Sequence, residues 1–180
     1  MLSASMHCCT GNCFPLLIQQ HINGSNVFNR SWAEYKMGFN DSNGNFWLGN
    51  ELLHQLTTSR KYKLRFDLLY SSNSYWYLAE YSTFEVTSEA SEYLVNVGGY
   101  RGLVGDAFSD NNAAKFTTYD SDNDNDATQN CAVRNGGGFW WKNCTYWNVN
   151  TPRGSNTYFG WRINVRNHIP LQTSRMWLTC

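Results

Sequence analysis

The chain has 180 residues, which is enough for one domain with a substantial core and does not require a second domain. Lys and Arg together number 14, as do Asp and Glu, so the charge balance gives no indication of a nucleic acid or an anionic membrane as a partner. No apolar run approaches the roughly 20 residues of a transmembrane helix, and we expect no membrane insertion.

Residues 1–15 are expected to be an irregular N-terminal segment, or a mispredicted start of the chain. They show no hydrophobic period and contain three of the six cysteines, Cys8, Cys9 and Cys13. The segment also lacks the basic start and the unbroken apolar centre of a secretory signal. The pairing of these cysteines and of Cys180 stays open, and bridges between chains would produce a homo-oligomer.

Two short helices are predicted next. In SWAEYKMGF, Ser31 is the expected N-cap, Glu34 occupies the capping-box position and Gly38 ends the helix. The second segment, GNELLHQLT, has Asn50 as its expected cap. Its leucines are expected on one face: Leu52, Leu53 and Leu56.

The hydrophobic period then changes to two, which indicates strands. In KYKLRFDLLY the large apolar side chains are expected on one face: Tyr62, Leu64, Phe66 and Leu68. The segments YWYLAEYSTFEV and EYLVNVG continue in the same manner, and PLQTSRMWLTC alternates enough to form a closing strand. These segments predict successive strands of an antiparallel sheet.

The region 102–160 is rich in Gly, Asn, Asp and Trp and predicts long loops, which need a metal or a disulfide to hold them. Cys131 and Cys144 are the only cysteines with a compact, structure-like separation, so we expect a disulfide and an oxidising compartment. Glycosylation sequons are consistent with a secreted glycoprotein; they start at Asn23, Asn29, Asn40 and Asn143.

The segment YDSDNDNDATQNC carries aspartates at alternate positions: Asp120, Asp122, Asp124 and Asp126. An EF-hand loop starting at Asp120 is excluded, because Asn125 stands where Gly is needed and Cys131 where the bidentate Glu belongs. Two interpretations stay open on spacing alone. The carboxylates either bind calcium in a site of another design or belong to a solvated acidic turn.

The sequence gives no indication of an enzyme. Its four histidines are scattered without metal-ligand spacing. It contains no nucleophile elbow, no HExxH motif and no phosphate-binding glycine loop that opens a helix. We therefore expect no catalytic residues.

Three segments together resemble the fibrinogen C-terminal domain family, which includes ficolins, tachylectins and angiopoietins. They are FTTYDSDNDNDATQNCAV, GGFWWKNC and NGSNVFNRSWAEYKMGFNDSNGNFWLGNELLHQLT. The family pattern DGS-x-x-F-x-R-x-W-x-x-Y-K-x-G-F-G is met at Gly24, Ser25, Phe28, Arg30, Trp32, Tyr35, Lys36, Gly38 and Phe39, with Asn23 for Asp and Asn40 for the last Gly. The resemblance runs from about Leu17 to Leu178.

The resemblance implies an α+β fold with a central twisted antiparallel sheet, short helices and a loop-rich calcium-binding lobe. By this resemblance, the domain spans residues 16–180 and lacks most of the N-terminal subdomain found in the family. By position, Ca²⁺ would be held by the side chains of Asp122 and Asp124 and by the carbonyls of Asp126 and Thr128. Because the segment is one residue longer than usual, the carbonyl of Gln129 is an alternative to that of Thr128. The family disulfide falls on Cys131 and Cys144.

The resemblance also implies a recognition pocket beside the calcium site. Its expected residues are Asn135, Trp140, Trp141, Asn143, Cys144, Thr145 and Tyr158. One of the paired tryptophans is expected to be buried and the other to line the pocket, and the peptide bond from Asn143 to Cys144 is expected to be cis, as in several lectins. Acetyl-binding lectins have His at position 145 and often an aromatic residue at 135, so Thr145 and Asn135 depart from their pattern.

The function implied by the resemblance is that of a secreted, calcium-dependent module that binds carbohydrate or acetylated groups, as innate-immune lectins do. The alternative is a protein-binding module that acts as a receptor ligand or as an extracellular-matrix adhesion protein. Single domains of this family gain avidity by oligomerising, which favours a homo-oligomer.

Overall fold

The structure is a computed structural model that describes residues 14–145, 147–153, 158–164 and 167–180, with only the backbone of Tyr158. The cysteine group at positions 8, 9 and 13 therefore lies outside the described residues. The strands are β1 Leu16–Ile22, β2 Phe39–Asn40, β3 Phe46–Trp47, β4 Tyr62–Tyr70, β5 Trp76–Val86, β6 Val95–Gly102, β7 Trp147–Asn148, β8 Tyr158–Arg162 and β9 His168–Thr179. The helices are α1 Trp32–Met37, α2 Asn50–Ser59 and α3 Cys131–Asn135, with 3₁₀ turns at Asn26–Phe28, Glu89–Ser91 and Phe108–Asn111.

The main sheet has the strand order β2-β3-β1-β9-β4-β5-β6. All pairs along this path are antiparallel, as predicted. The last strand, β9, lies in the middle of the sheet and also pairs with β8, which continues into a short parallel pair with β7. The ends of the chain's described part are thus joined, because β1 and β9 are neighbours.

Alternation along β4 gives the sheet its buried face. Tyr62, Leu64, Phe66 and Leu68 are all buried, which confirms the predicted face. The strand predicted from EYLVNVG begins only at Val95. Glu92 and Tyr93 before it have positive φ angles of 50° and 48°, outside the β region, and form a turn.

Helix α1 confirms the predicted capping box. The Ser31 Oγ accepts a hydrogen bond from the Glu34 amide, and the Glu34 carboxylate accepts one from the Ser31 amide at 2.9 Å. Gly38 ends the helix with a φ of 88°, a conformation in which a side chain is disfavoured. The helix therefore has fixed ends, although it has only six residues.

Helix α2 differs from the prediction at its start. Gly49 precedes it with a φ of 110°, and Asn50 is its first residue rather than its cap. The Asn50 side chain accepts a hydrogen bond from the Trp47 indole at 3.0 Å instead of bonding to helix amides. Leu53 is buried but Leu52 is 43% exposed, so the two leucines do not share one face.

The core is dominated by aromatic rings that join the loop-rich half of the chain to the sheet. Phe66 on β4 lies with its ring centroid 4.7 Å from that of Trp161, and Trp161 lies 4.8 Å from Trp147. Tilted and edge-to-face pairs at these distances add to the free energy of area burial. Trp147, in the loop-rich region, is therefore packed against the sheet through Trp161.

A buried polar network attaches the segment 148–151 to the sheet beneath these loops. The Gln19 Nε2 on β1 lies within 3.2 Å of the Val149 carbonyl, the Asn150 Oδ1 and the Ser174 Oγ. The Asn150 amide in turn donates to the Gly138 carbonyl at 3.0 Å. Buried polar groups of this kind fix one register when all of them are paired.

No helix within the described ranges has both the length and the apolar character needed to cross a membrane.

Candidate functional site

The acidic loop, defined as residues 120–130, begins next to α1. The Asp120 carboxylate accepts hydrogen bonds from the Trp32 backbone amide at 2.8 Å and from the Thr118 hydroxyl at 2.7 Å. Trp32 is the first residue of α1, where backbone amides have no partner within the helix. Asp120 therefore serves to join the loop to α1.

The alternation of the aspartates has a local structural cause. The Asp124 Oδ1 accepts from the Asp126 amide at 2.8 Å, and the Asp126 Oδ1 accepts from the Thr128 amide at 3.0 Å. Asp122 makes the same contact to the Asp124 amide at a longer distance of 3.5 Å. Each carboxylate thus forms an Asx turn with the residue two positions on.

Asp124 also links the loop to α3. Its second oxygen accepts from the Cys131 amide, the first of α3, at 2.8 Å. Partial burial raises the pKa of Asp124, and the neighbouring charge of Asp122 raises it further. A cation beside this carboxylate would act in the opposite direction and favour its ionised form.

The predicted disulfide between Cys131 and Cys144 is confirmed. Both residues are buried, and their Cα atoms are 4.9 Å apart. A second link runs parallel to it, because the Asn125 amide donates to the Lys142 carbonyl at 2.8 Å. The acidic loop and residues 142–144 are therefore held together at two points.

One group of potential metal ligands combines Asp124 with Cys131 and Cys144, with ligand atoms within 4.8 Å of one another. Both sulfurs belong to the disulfide, and a metal binds the thiolate form of cysteine. This group is therefore no metal centre. The oxygen-rich part of the loop is the better candidate.

The carboxylates expected to bind Ca²⁺, those of Asp122 and Asp124, retain hydrogen-bond acceptor capacity in the loop. The carboxylates of Asp120 and Asp126 are engaged by protein donors, and Asp126 accepts from both Thr128 and the Gln129 side chain. Asp122 is exposed and accepts at the long distance of 3.5 Å from the Asp124 amide, and each Asp124 oxygen accepts one hydrogen bond from a backbone amide, which leaves lone pairs available. Hard oxygen ligands of this type are those that Ca²⁺ prefers.

The backbone at Cys144 differs from the expectation. No cis peptide bond occurs in the part of the chain that the structure describes, so the bond from Asn143 to Cys144 is trans. Cys144 instead has a φ of 42°, in the left-handed region that residues with a side chain rarely adopt. Strained backbone of this kind occurs often at binding sites.

Four of the expected pocket residues are buried, and Cys144 of the disulfide is one of them. Trp140 and Trp141 have no exposed surface, and their indole nitrogens donate to the carbonyls of Tyr93 at 2.8 Å and Gly137 at 2.9 Å. Asn135, the last residue of α3, is buried as well. The expectation that one tryptophan lines the pocket is wrong for this structure, because a side chain without surface cannot touch a ligand.

Two of the other expected residues, Asn143 and Thr145, are the chain neighbours of Cys144 in the disulfide. Asn143 is exposed, and the half-buried Thr145 donates through its hydroxyl to the Trp147 carbonyl at 3.0 Å. Tyr158 starts β8, but its side chain lies outside the described residues. The structure thus brings Asn143, Cys144 and Thr145 together beside the acidic loop.

Two exposed apolar residues at this site were missed by the sequence analysis. Tyr119 is 46% and Val133 is 62% exposed. The Asn130 side chain connects their neighbourhoods, because it donates to the Thr118 carbonyl at 2.9 Å and accepts from the Val133 amide at 3.0 Å. The sequence does contain a signal for α3, the helix that carries Val133. Asn130 before CAVRN and Gly136 after it are typical of the N-cap and the end of a short helix.

Comparisons with known proteins identify the family to which the chain is similar. The model of the family "Fibrinogen beta and gamma chains, C-terminal globular domain" matches residues 6–173. Fibrinogen-like protein A of Apostichopus parvimensis is 39% identical over 137 residues, which cover 74% of this chain and 48% of the relative. Microfibril-associated glycoprotein 4 of Mus musculus is 39% identical over 140 residues, 74% of this chain and 54% of the relative. The chain thus spans about half the length of these relatives.

Solved structures give the same result for the fold. The fibrinogen-like globe domain of human ANGPTL2 has a TM-score of 0.81 at 34% identity, over 91% of this chain and 79% of that one. The lamprey fibrin D-dimer, solved with the peptide Gly-His-Arg-Pro-amide, has a TM-score of 0.76 at 29% identity, over 91% of this chain and 60% of that one. The sheet, the short helices and the acidic loop therefore form a fibrinogen-like globe of the α+β class. This chain belongs to the fibrinogen C-terminal globular domain family.

Proposed function

We propose that this chain is an extracellular recognition module that binds a protein partner in a calcium-dependent manner. The contact region, called the recognition surface, consists of Tyr119, Asp122, Thr128, Val133 and Asn143. One observation carries the choice of a protein partner. The apolar side chains exposed beside the acidic loop are Tyr119 and Val133, whereas the tryptophans expected to line a sugar pocket are buried.

Calcium has an organising role in this proposal. The carboxylates of Asp122 and Asp124 and the carbonyls of Asp126 and Thr128 would hold the ion, which supplies a fixed positive charge. Asp124 transmits this order to α3 through its bond to the Cys131 amide. Val133 lies on the same helix, so the position of an exposed contact residue depends on the loop.

A protein partner suits the chemistry of the recognition surface. Exposed apolar residues with polar neighbours are typical of protein interaction sites. Residues 142–144 and the acidic loop are joined by the disulfide and by the bond from Asn125 to Lys142, which lowers the entropy lost on binding. The lamprey fibrin domain was solved with a bound peptide, which supports the same class of partner for this chain.

Binding of carbohydrate or acetylated groups is a second candidate. The observation in its favour is the positive φ of Cys144, which places a strained backbone beside Asn143 and Thr145. Backbone donors are suited to the carbonyl of an acetyl group. The buried Asn135 and tryptophans supply no aromatic wall for the acetyl methyl group, which is why we rank this candidate second.

The test measures binding of the secreted and enzymatically deglycosylated domain to intact cells and extracellular matrix, and to a panel of N-acetylated and non-acetylated sugars, with calcium and then with a chelator. The variant Val133→Asp places a charge on the recognition surface. Leu103→Asp is the matched control, because Leu103 is exposed (75%) in the segment after β6.

We expect cell or matrix binding that the chelator abolishes and that Val133→Asp weakens by about tenfold, the usual effect of losing an interface anchor. Leu103→Asp should bind as the unmodified domain does. A preference for acetylated sugars that Val133→Asp leaves unchanged would favour the second candidate. Chelator-resistant binding would contradict the role of calcium.

A further inference from the structure

One sequon lies within the site itself. Asn143-Cys144-Thr145 matches the acceptor pattern for N-linked glycans, and its middle residue is half of the disulfide. The asparagines of the other sequons are exposed as well: Asn23, Asn29 and Asn40. They lie before α1 or on the edge strand β2, so they provide internal comparisons.

The amide of Asn143 is directed at the acidic loop. In the orientation that satisfies both of its polar atoms, its Nδ2 donates to the carbonyls of Asn125 and Lys142, each at 3.2 Å. Asn125 stands between Asp124 and Asp126 in the chain. The next residue after Asn143 is also close, because the Cys144 Sγ lies 3.7 Å from an oxygen of Asp126.

We propose that Asn143 carries an N-linked glycan and that its first sugars cover the acidic loop. The donor is an oligosaccharide linked to a lipid diphosphate. A bond forms between the Asn143 Nδ2 and the anomeric carbon of the first sugar, the bond from that carbon to the diphosphate breaks, and Nδ2 loses a proton. The sugar replaces a hydrogen that is directed at one of the two carbonyls, so that hydrogen bond is lost and the side chain turns outward. The backbone of residues 142–144 stays beside the loop through the disulfide and the bond from Asn125 to Lys142, which keeps the first sugar next to the loop.

A glycan on Asn143 controls which molecules reach the acidic loop. A glycan is bulky and hydrophilic, and at this position it stands next to Asn125 and Asp126, in the same loop as the exposed Asp122 and Thr128. Large partners are then excluded from this side of the recognition surface, while a small ion still enters. This effect on binding rests on the proposed function, but the modification and the covering of the loop do not.

The test uses the full chain, secreted from animal cells with an added leader. Glycopeptide mass spectrometry determines which of the four sequons is occupied. The Asn143→Gln and Thr145→Ala variants should both lose the glycan, whereas Thr145→Ser keeps the sequon and the hydroxyl and should retain it.

Coverage of the loop is measured by labelling carboxylates with a carbodiimide and an amine, in the presence of a chelator. Intact protein is compared with protein whose glycans have been trimmed to the first sugar. We expect trimming to raise labelling of Asp122 severalfold. Asp110, whose side chain is 48% exposed in a separate 3₁₀ turn, should be labelled equally in both samples.

Two results would overturn the proposal: an unmodified Asn143 in the secreted protein, or an occupied Asn143 with equal labelling of Asp122 before and after trimming. Neither result depends on finding a binding partner. If neither intact nor trimmed protein binds to cells or matrix, the proposed function is contradicted. The labelling experiment still tests whether the glycan covers the acidic loop.

Discussion

His21 on β1 is a buried histidine whose charge state affects the stability of this fold. Its ring lies between those of Phe28 and Phe159, with centroids 4.4 Å from each. Its Nδ1 is 2.8 Å from the Val149 carbonyl and its Nε2 is 3.0 Å from that of Ser25. Burial lowers the pKa of His21 to about 4, since the charged form loses its hydration there.

The lowered pKa makes folding stability depend on pH. Neutral His21 contributes fully above its unfolded-state pKa of 6.5, and this contribution is lost as the pH falls through about 4. The difference corresponds to about 3 kcal/mol of unfolding free energy. We expect urea unfolding at pH 7 and pH 4.5 to show this loss, and we expect His21→Gln to reduce it.

The control is His54→Gln, a replacement in the half-buried part of α2. It removes a histidine other than His21 and shows how the domain responds to a histidine replacement elsewhere. An equally steep loss in His21→Gln would assign the dependence to other groups.

At the scale of elements, α1 depends on its capping box because six residues give it little helical cooperativity of its own. We predict that Ser31→Ala lowers the free energy of unfolding by about 1 kcal/mol, the typical cost of losing an N-cap. Chemical denaturation measures this value. Ser42→Ala, in an exposed turn, should change it by less than about 0.5 kcal/mol, and an equal loss in both variants would count against the cap.

The sequence was sufficient for elements that local signals determine. Alternation gave β4 and its buried face, and Ser31, Glu34 and Gly38 gave both ends of α1. It failed for α3, because a five-residue helix carries no hydrophobic period. It also misplaced the start of α2, where Asn50 bonds to Trp47 and the helix begins after a glycine with positive φ.

At the scale of the molecule, the strand order could not be predicted from the sequence. The last strand, β9, pairs with β1 and β4, and nothing local in β9 specifies these partners. Dependence on distant parts of the chain also explains why the site was predicted only in part. The loop and the disulfide follow from nearby residues, whereas the burial of Trp140 and Trp141 is decided by packing against distant parts of the chain.

The buried network around Gln19 leads to a prediction about the whole fold. Gln19→Leu leaves the Asn150 Oδ1 and the Val149 carbonyl without this donor in a buried site. We expect a loss of about 1–3 kcal/mol of unfolding free energy and weaker protection of residues 148–151 in hydrogen exchange. Gln55→Leu on the exposed face of α2 is the matched control, and equal losses in the two variants would refute the role of the network.

The disulfide should stabilise the same half of the molecule. Replacing Cys131 and Cys144 together by Ala is expected to cost about 3 kcal/mol, the value for a closed loop of similar length. Hydrogen exchange should rise mainly in residues 120–144. An increase spread evenly over the strands of the main sheet would show that the bridge does not act locally.

The central claim is that Asp122 and Asp124 bind calcium and thereby order the recognition surface. The measurement that tests it most directly is calorimetric titration of calcium into the folded domain and into an Asp122→Asn, Asp124→Asn variant. We predict one site in the unmodified domain, with a dissociation constant on the order of 10⁻⁴–10⁻³ M as for extracellular calcium modules, and its loss in the variant. A folded domain that takes up no calcium, or a variant that binds it equally well, would contradict the claim.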